Sequence, residues 1–212
     1  MSKLITTRQA LDEDLDDILR VEETAWPEPI RASRRQLAER LSVYPSGFHV
    51  ACVEQRIVGF LTSQLVNHSP DVVPLGWEIT TAKGWIRSTH QAAGNALCVV
   101  SVGVAAAFQR CGAGSQLIVL AQQHAAANNL QAVLLDSRLP GYAPYCQRGM
   151  SVEEYVRASD SQGMPLDAEL RFYARLGFRI SSEAHIIRNC MSLDDESASY
   201  GVRLVWTTEH GQ

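Results

Sequence analysis

The stretch richest in chemical possibility is Gln109-Arg110-Cys111-Gly112-Ala113-Gly114, which follows the Val-rich run Val99–Val104 and leads into a helical pattern from Ser115. A helix start leaves about four backbone N–H groups without intrahelical partners and carries roughly half a positive charge. Glycines let that backbone approach an anion closely, so the turn suits a pyrophosphate, and Arg110 adds a charge-assisted contact. Two better-known phosphate loops do not fit. A P-loop needs Gly-Lys-Ser/Thr, and no such tripeptide follows Gly112 or Gly114. A dinucleotide fingerprint needs three glycines early in a parallel sheet, whereas two or three strands precede this turn. A bare Gly-x-Gly equally marks an ordinary tight turn, so the surrounding elements must decide.

Those elements read as alternating strands and helices. Leu4–Arg8 is a short strand with Thr6 and Thr7 β-branched. Asp12–Trp26 is an amphipathic helix in which Leu15, Ile18, Leu19 and Glu22 fall at three- and four-residue steps, with three acids in the first turn. Ser33 caps a second helix, Arg34–Leu41, stopped by Pro45 and Gly47. Phe48–Val53 and Ile57–Val66 form a hairpin. Asn67–Asn95, with two prolines and three glycines, reads as a long loop with one short strand, in a place where substrate is met. Ala96–Val104 is a buried strand, Ser115–Asn128 a helix and Ala132–Asp136 a strand. Ser151–Ala158 is a helix with a capping box at Ser151 and Glu154. Asp167–Leu176 is a helix stopped by Gly177, and Phe178–Ile187 and Val202–Trp206 are the last strands. The chain reads as one mixed α/β domain.

Its 212 residues and 23.4 kDa suit one domain. Nineteen basic residues against 23 acidic give a net charge of -4, with no basic stripe, so nucleic-acid binding has no electrostatic footing. No apolar run approaches the roughly 20 residues of a membrane span, and the N-terminal residues lack a signal-peptide core. The five cysteines are scattered with no CxxC pair, which argues against a zinc site or a disulfide framework and fits reduced thiols in the cytoplasm.

Gln-x-x-Gly-x-Gly after a Val-rich strand resembles the acyl-CoA loop of the GNAT superfamily of N-acetyltransferases. At the expected distance, Leu170-Arg-Phe-Tyr-Ala-Arg-Leu-Gly-Phe178 resembles the family's Tyr-x-x-Leu-Gly-Phe element. The resemblance implies an α/β (α+β) GNAT fold over residues 1–212: a central mixed, mostly antiparallel sheet flanked by helices and splayed between strands four and five. It implies acetyl-CoA or another acyl-CoA as co-substrate, and no metal. Main-chain groups of Val102 and Val104 would hold the pantetheine, and Gln109, Arg110, Cys111, Gly112, Ala113, Gly114 and Ser115 the pyrophosphate.

A finer likeness lies in Leu139-Pro-Gly-Tyr142, Met150–Val156, Asp194-Asp-Glu-Ser197 and Tyr200-Gly201. These look like a GNAT branch that carries an insertion, here around residues 137–165, and that includes loading domains of polyketide synthases. Ala25–Ser33 and Gly84–His90 share this likeness.

Acyl transfer to an amine or thiol needs a proton removed from the nucleophile and one given to the departing thiolate. Tyr173 matches the family's helix tyrosine and is the acid; the alternative is a core aromatic. Where some members carry a glutamate on strand four, this chain has Cys98, whose apolar neighbours mark it for packing. Glu78 and His90 are the remaining bases, with a water chain as an equal alternative. Ser137 lines the acyl pocket or forms a turn, and Trp26 roofs the acceptor site or sits in the core. In the loading branch a histidine on this helix assists decarboxylation; Tyr173 stands there instead.

The leading function is transfer of an acetyl or other small acyl group from acyl-CoA to a small-molecule amine or an acyl-carrier-protein thiol. One alternative is decarboxylation of malonyl- or methylmalonyl-CoA with loading onto a carrier; another is a non-catalytic acyl-CoA binding module. Such folds are commonly dimeric, but no residue here demands a homodimer.

Overall fold

The computed structural model describes residues 4–180 and 182–208. Its strands and helices run β1 (Ile5–Gln9), α1 (Leu15–Ala25), α2 (Arg34–Val43), β2 (Phe48–Val53), β3 (Arg56–Val66), α3 (Trp77–Thr80) and β4 (Ala96–Val104). They continue through α4 (Ala113–Ala127), β5 (Ala132–Arg138), α5 (Ala143–Cys146), α6 (Val152–Arg157), α7 (Ala168–Arg175), β6 (Ile186–Ile187) and β7 (Gly201–Thr207). The seven strands form one sheet in the order β1-β2-β3-β4-β5-β7-β6, antiparallel throughout except for the parallel pair β4 and β5. This is the mixed, mostly antiparallel sheet expected from the resemblance.

Alternation along β2 explains why both faces are covered. Val50 and Cys52 pack with Leu15, Ile18 and Leu37 of α1 and α2, while Ala51 and Val53 pack with Leu117 and Ile118 of α4. The second core extends to α6 and α7 through Tyr155, Leu170 and Tyr173. Helix starts follow local chemistry. Ser33 Oγ accepts from the Gln36 N–H at 3.3 Å while Gln36 returns an oxygen to the Ser33 N–H at 2.8 Å, and Ser151 and Glu154 repeat the pattern. At α7, Asp167 accepts from the N–H groups of Glu169 and Leu170 at 2.9 and 3.2 Å, and from the Tyr155 hydroxyl at 3.0 Å.

Three expectations need correcting. The segment Asn67–Asn95 holds no strand; it forms α3 and a run of turns folded around Ile86, which is completely buried. Internal hydrogen bonds order it, including Gly84 N–H to Thr81 Oγ1 at 2.9 Å and His90 N–H to the Ile86 carbonyl at 2.7 Å. The strand expected over Phe178–Ile187 reduces to a single bridge, Arg179 to Val205, and the two residues of β6. The polar residues between them are weak strand formers, and Glu183–His185 turns helically instead. Finally, α4 begins at Ala113, two residues earlier than its pattern suggests, because Gly112 supplies the left-handed cap.

Candidate functional site

β4 and β5 pair only from Ala96–Ala132 to Cys98–Leu134, although β4 runs on to Val104 and β5 to Arg138. Beyond Cys98 the two strands part. On the other edge of β4 the register steps from Ser63↔Val99 to Thr62↔Ser101, so Val100 is a bulge residue. Its carbonyl accepts from the Trp77 indole Nε1–H at 2.7 Å. A cleft of about 800 Å³ lies beside the parted strands, with Val102 and Val104 of β4 on one side and α7 on the other.

The glycine turn forms another wall. Arg110 (φ 62°) and Gly112 (φ 98°) both adopt positive φ, which a glycine tolerates freely and which lets α4 start abruptly at the cleft. A Cβ on Gly114 would stand 3.6 Å from Phe172 and Val104 and would occupy the cleft wall. Gln109, Arg110 and Gly112–Ser115 all line the cleft; Cys111 is exposed and does not. The first-turn N–H groups lack intrahelical partners, and Arg110, Arg171 and Arg175 line the same space. Arg171 is held rigidly, donating to the carbonyls of Pro165 and Leu166 at 3.0 and 3.1 Å. The wall is therefore cationic and rich in donors.

Tyr173 enters this cleft from α7. Its ring sits edge-on to Phe172 and Phe178, with centroids 4.9 and 5.7 Å away. Among the described residues its hydroxyl has no hydrogen-bond partner. Burial, assisted by the nearby Glu169, drives its pKa well above the ordinary phenol range, so it stands as a protonated donor. One helical turn earlier, Glu169 also lines the cleft. Its side chain is 31% exposed and lies 3.9 Å from Arg138. Burial raises its carboxyl to about 8; Arg138 opposes this, and Asp167, Asp194 and Glu196 add to it. Sequence reasoning missed Glu169; the available signal was its spacing of four from Tyr173 on one helix face.

Trp26 lines the cleft and also a second, narrower pocket of about 30 Å³ on the α1 and α2 side, which Val100 and Ser101 of β4 share. Glu22 lines this pocket, is 2% exposed, and accepts the Ala32 N–H on Oε1 at 2.5 Å. Burial raises its carboxyl above the ordinary range, against Ala32, Arg40 and Arg31. Glu22 Oε2 and Trp26 Nε1 are buried without a hydrogen-bond partner among the described residues. Arg40, equally buried, donates through Nε to the Gly84 carbonyl at 2.7 Å; burial lowers its guanidinium to about 10 while Glu22 opposes. Glu22 belonged to the apolar stripe of its helix, and an acid in such a stripe was the signal to follow.

The other sequence candidates lie elsewhere. Glu78, on α3, accepts from Ser192 N–H and Oγ, both at 2.6 Å; burial works to raise its carboxyl, but these bonds and Lys83 hold it below the ordinary range. It lines the outer vestibule of the second pocket. His90 lines neither cavity: its Nδ1 accepts the Leu65 N–H at 3.2 Å, and its ring lies 4.8 Å from that of Tyr44. Ser137 is buried, and its hydroxyl donates to the Arg138 carbonyl at 3.0 Å rather than facing the cleft. Cys98 is buried and pushed up to about 12 by desolvation, an unreactive thiol. Among the described residues no group of three or more His, Cys, Asp or Glu side chains is placed to hold a metal, and no helix is long and apolar enough to cross a membrane.

The acetyltransferase (GNAT) family pattern matches residues 12–143, more than half the chain and including the glycine turn. The chain belongs to the GNAT family. It is 28% identical over 206 residues to the uncharacterized N-acetyltransferase YkwB of Bacillus subtilis (strain 168), covering 95% of this chain and 88% of that one. Among solved GNAT structures, the GphF GNAT-like decarboxylase in complex with isobutyryl-CoA is similar with a TM-score of 0.82 and 27% identity, over 95% of this chain and 98% of that one. The loading GNATL domain of CurA from Lyngbya majuscula shares the fold with a TM-score of 0.84 and 21% identity, over 98% and 100% of the two chains.

Proposed function

We propose that this GNAT protein transfers a small acyl group, acetyl foremost, from acyl-CoA to an amine. One observation carries the reading: the donor-rich turn at the start of α4 and a protonated, unpartnered Tyr173 line the same cleft, beside the parted strands β4 and β5. The first-turn amides of α4, with Gln109 and Arg110, suit a pyrophosphate, which needs close backbone approach and positive charge. Unpaired main-chain groups of Val102 and Val104 suit the amide-bearing pantetheine arm. Tyr173 supplies a proton to the departing thiolate, which its raised pKa allows. Five free cysteines suit a reducing compartment, so we place the protein in the cytoplasm. Incubation with acetyl-CoA and a panel of amines and phosphopantetheinyl carrier proteins, reading released CoA, tests this. Intact CoA binding with no turnover on any acceptor sinks it and leaves a binding module.

A second reading is decarboxylation of a malonyl-type thioester with loading onto a carrier thiol. It is favoured by the likeness to the GphF decarboxylase and by the joining of the two stretches shared with loading domains: Leu139 N–H donates to Ser197 Oγ at 2.9 Å. Against it, α7 carries no histidine. Release of carbon dioxide from labelled malonyl-CoA separates the two.

A further inference from the structure

One extra residue in a strand changes which face every later residue occupies. Ahead of the bulge in β4, Leu97 and Val99 belong to the core shared with α4. Val100 and Ser101 both line the narrow pocket on the α1 and α2 side, and beyond them Val102 and Val104 return to the α4 face and the cleft. Gly103 turns the other way, where a Cβ would stand 2.8 Å from the completely buried Phe60 and 3.3 Å from Ala25. Without the bulge a valine would fall in that space, which has no room for it.

Val100 is buried and has no opposite number in β3. A buried carbonyl without a partner is costly, and here the partner comes from outside the sheet, as the Trp77 indole N–H at 2.7 Å. Trp77 is itself held at several points. Its backbone N–H meets Cys190 Sγ at 3.5 Å, and its carbonyl accepts from Thr81 Oγ1 at 2.7 Å. Gly84 passes so close that a Cβ there would stand 3.1 Å from Trp77 Cη2. Trp77 lines the narrow pocket and its vestibule but not the acyl-CoA cleft, and no residue of Asn67–Asn95 is among the residues lining that cleft.

We propose that Trp77 is a positioning residue for acyl-CoA binding: its indole N–H fixes the bulge at Val100, and the bulge sets Val102 and Val104 against the cleft. The proposal rests on the acyl-transfer reading, in which the main chain of those two valines meets the pantetheine. With the N–H removed, β4 cannot slip into a regular register, because Phe60 and Ala25 block the valines. It can only lose order beyond the bulge. The near half, Ala96–Cys98, stays tied to both β3 and β5, so the damage is confined to the part that faces the cleft.

The test uses the full chain and acetyl-CoA alone, so that nothing occupies the pocket Trp77 also lines. Trp77→Phe keeps an aromatic ring and removes the N–H. Its Kd for acetyl-CoA, by calorimetry, should rise about tenfold or more. Amide exchange in the free variant should be faster over Ser101–Val104 and unchanged over Ala96–Cys98. A Kd within about twofold of the unaltered protein, or faster exchange along the whole of β4, overturns the role of Trp77 alone. Failure of the unaltered protein to bind acetyl-CoA overturns the underlying reading with it. A spectroscopic signature separates positioning from mere packing. In nitrogen–proton correlation spectra of the unaltered protein, the Trp77 indole signal, assigned by its contact with Val100, should shift on adding acetyl-CoA although the ring lies outside the cleft. A signal that stays in place at saturation rejects the proposal, and this measurement decides if Trp77→Phe does not fold.

Discussion

The Arg138 guanidinium lies 5.6 Å from the centre of the Trp26 ring. The side chain that borders both cavities therefore rests on a cation, and that cation is fixed from the C-terminal part of the chain: Arg138 donates to both Asp194 oxygens at 2.7 and 2.5 Å and to Glu196 at 2.7 Å. Asp194 is 2% exposed. Replacing Arg138 by Met leaves a buried carboxylate without its counter-charge, which should cost about 3–5 kcal/mol of stability. Urea unfolding should show a lower midpoint with an unchanged slope; a loss below about 1 kcal/mol would mean that the network is solvated.

Tyr173→Phe removes one hydroxyl that has no hydrogen-bond partner among the described residues. It should leave folding and acetyl-CoA affinity intact and lower kcat about tenfold or more, equivalent to about 1.4 kcal/mol of barrier. Steady-state kinetics beside calorimetric binding checks this; an unchanged kcat removes Tyr173 as the proton donor.

Gly112→Ala probes the turn. A Cβ there would approach only Ile5 Cδ1, at 3.8 Å, so crowding is not the issue; the φ of 98° is. The strain should cost about 1–2 kcal/mol, and CoA affinity should fall as the α4 amides swing from their positions. Calorimetry with CoA, compared with thermal melts, measures both. An unaltered affinity would separate the turn from the pyrophosphate.

Glu169 predicts a pH dependence of stability. Its carboxyl is raised to about 8 in the folded protein and returns to about 4.3 on unfolding. The folded state then binds the extra proton between these values, so this contribution is full below about pH 4 and is lost as pH rises through about 8. Glu169→Gln should flatten the fall of Tm across that window and make the variant the more stable form at pH 9. Identical Tm profiles for the two proteins would show that Glu169 is ionised throughout.

Much of the frame was legible because its causes are local. The caps at Ser33 and Ser151, the hairpin of β2 and β3 and the glycine turn each depend on residues within a few positions of one another. The parts that were not legible depend on distant partners. Asn67–Asn95 looks like a polar loop, yet Arg40 from α2 donates to its Gly84 carbonyl and Trp77 reaches across to Val100. Phe178–Ile187 begins and ends in apolar residues, but little of it finds a strand to pair with. In the site, the cationic turn announced itself through glycine spacing. Glu22, Arg40 and Glu169 did not, because an acid or an arginine on a helix is ordinarily solvated, and only tertiary packing buries the first two and partly covers the third.

Three rungs of parallel ladder are all that tie β4 to β5. Beyond them each strand keeps one edge bonded, β4 to β3 and β5 to β7, while its inner edge offers amides and carbonyls to whatever enters. The sheet is in effect unfinished there, and an amide-bearing guest would complete it as a temporary extra strand. Occupancy should therefore register far from the reacting atoms, as slower hydrogen exchange along the inner edge of Ser101–Val104, with the firmly paired far ends of the same strands unaffected.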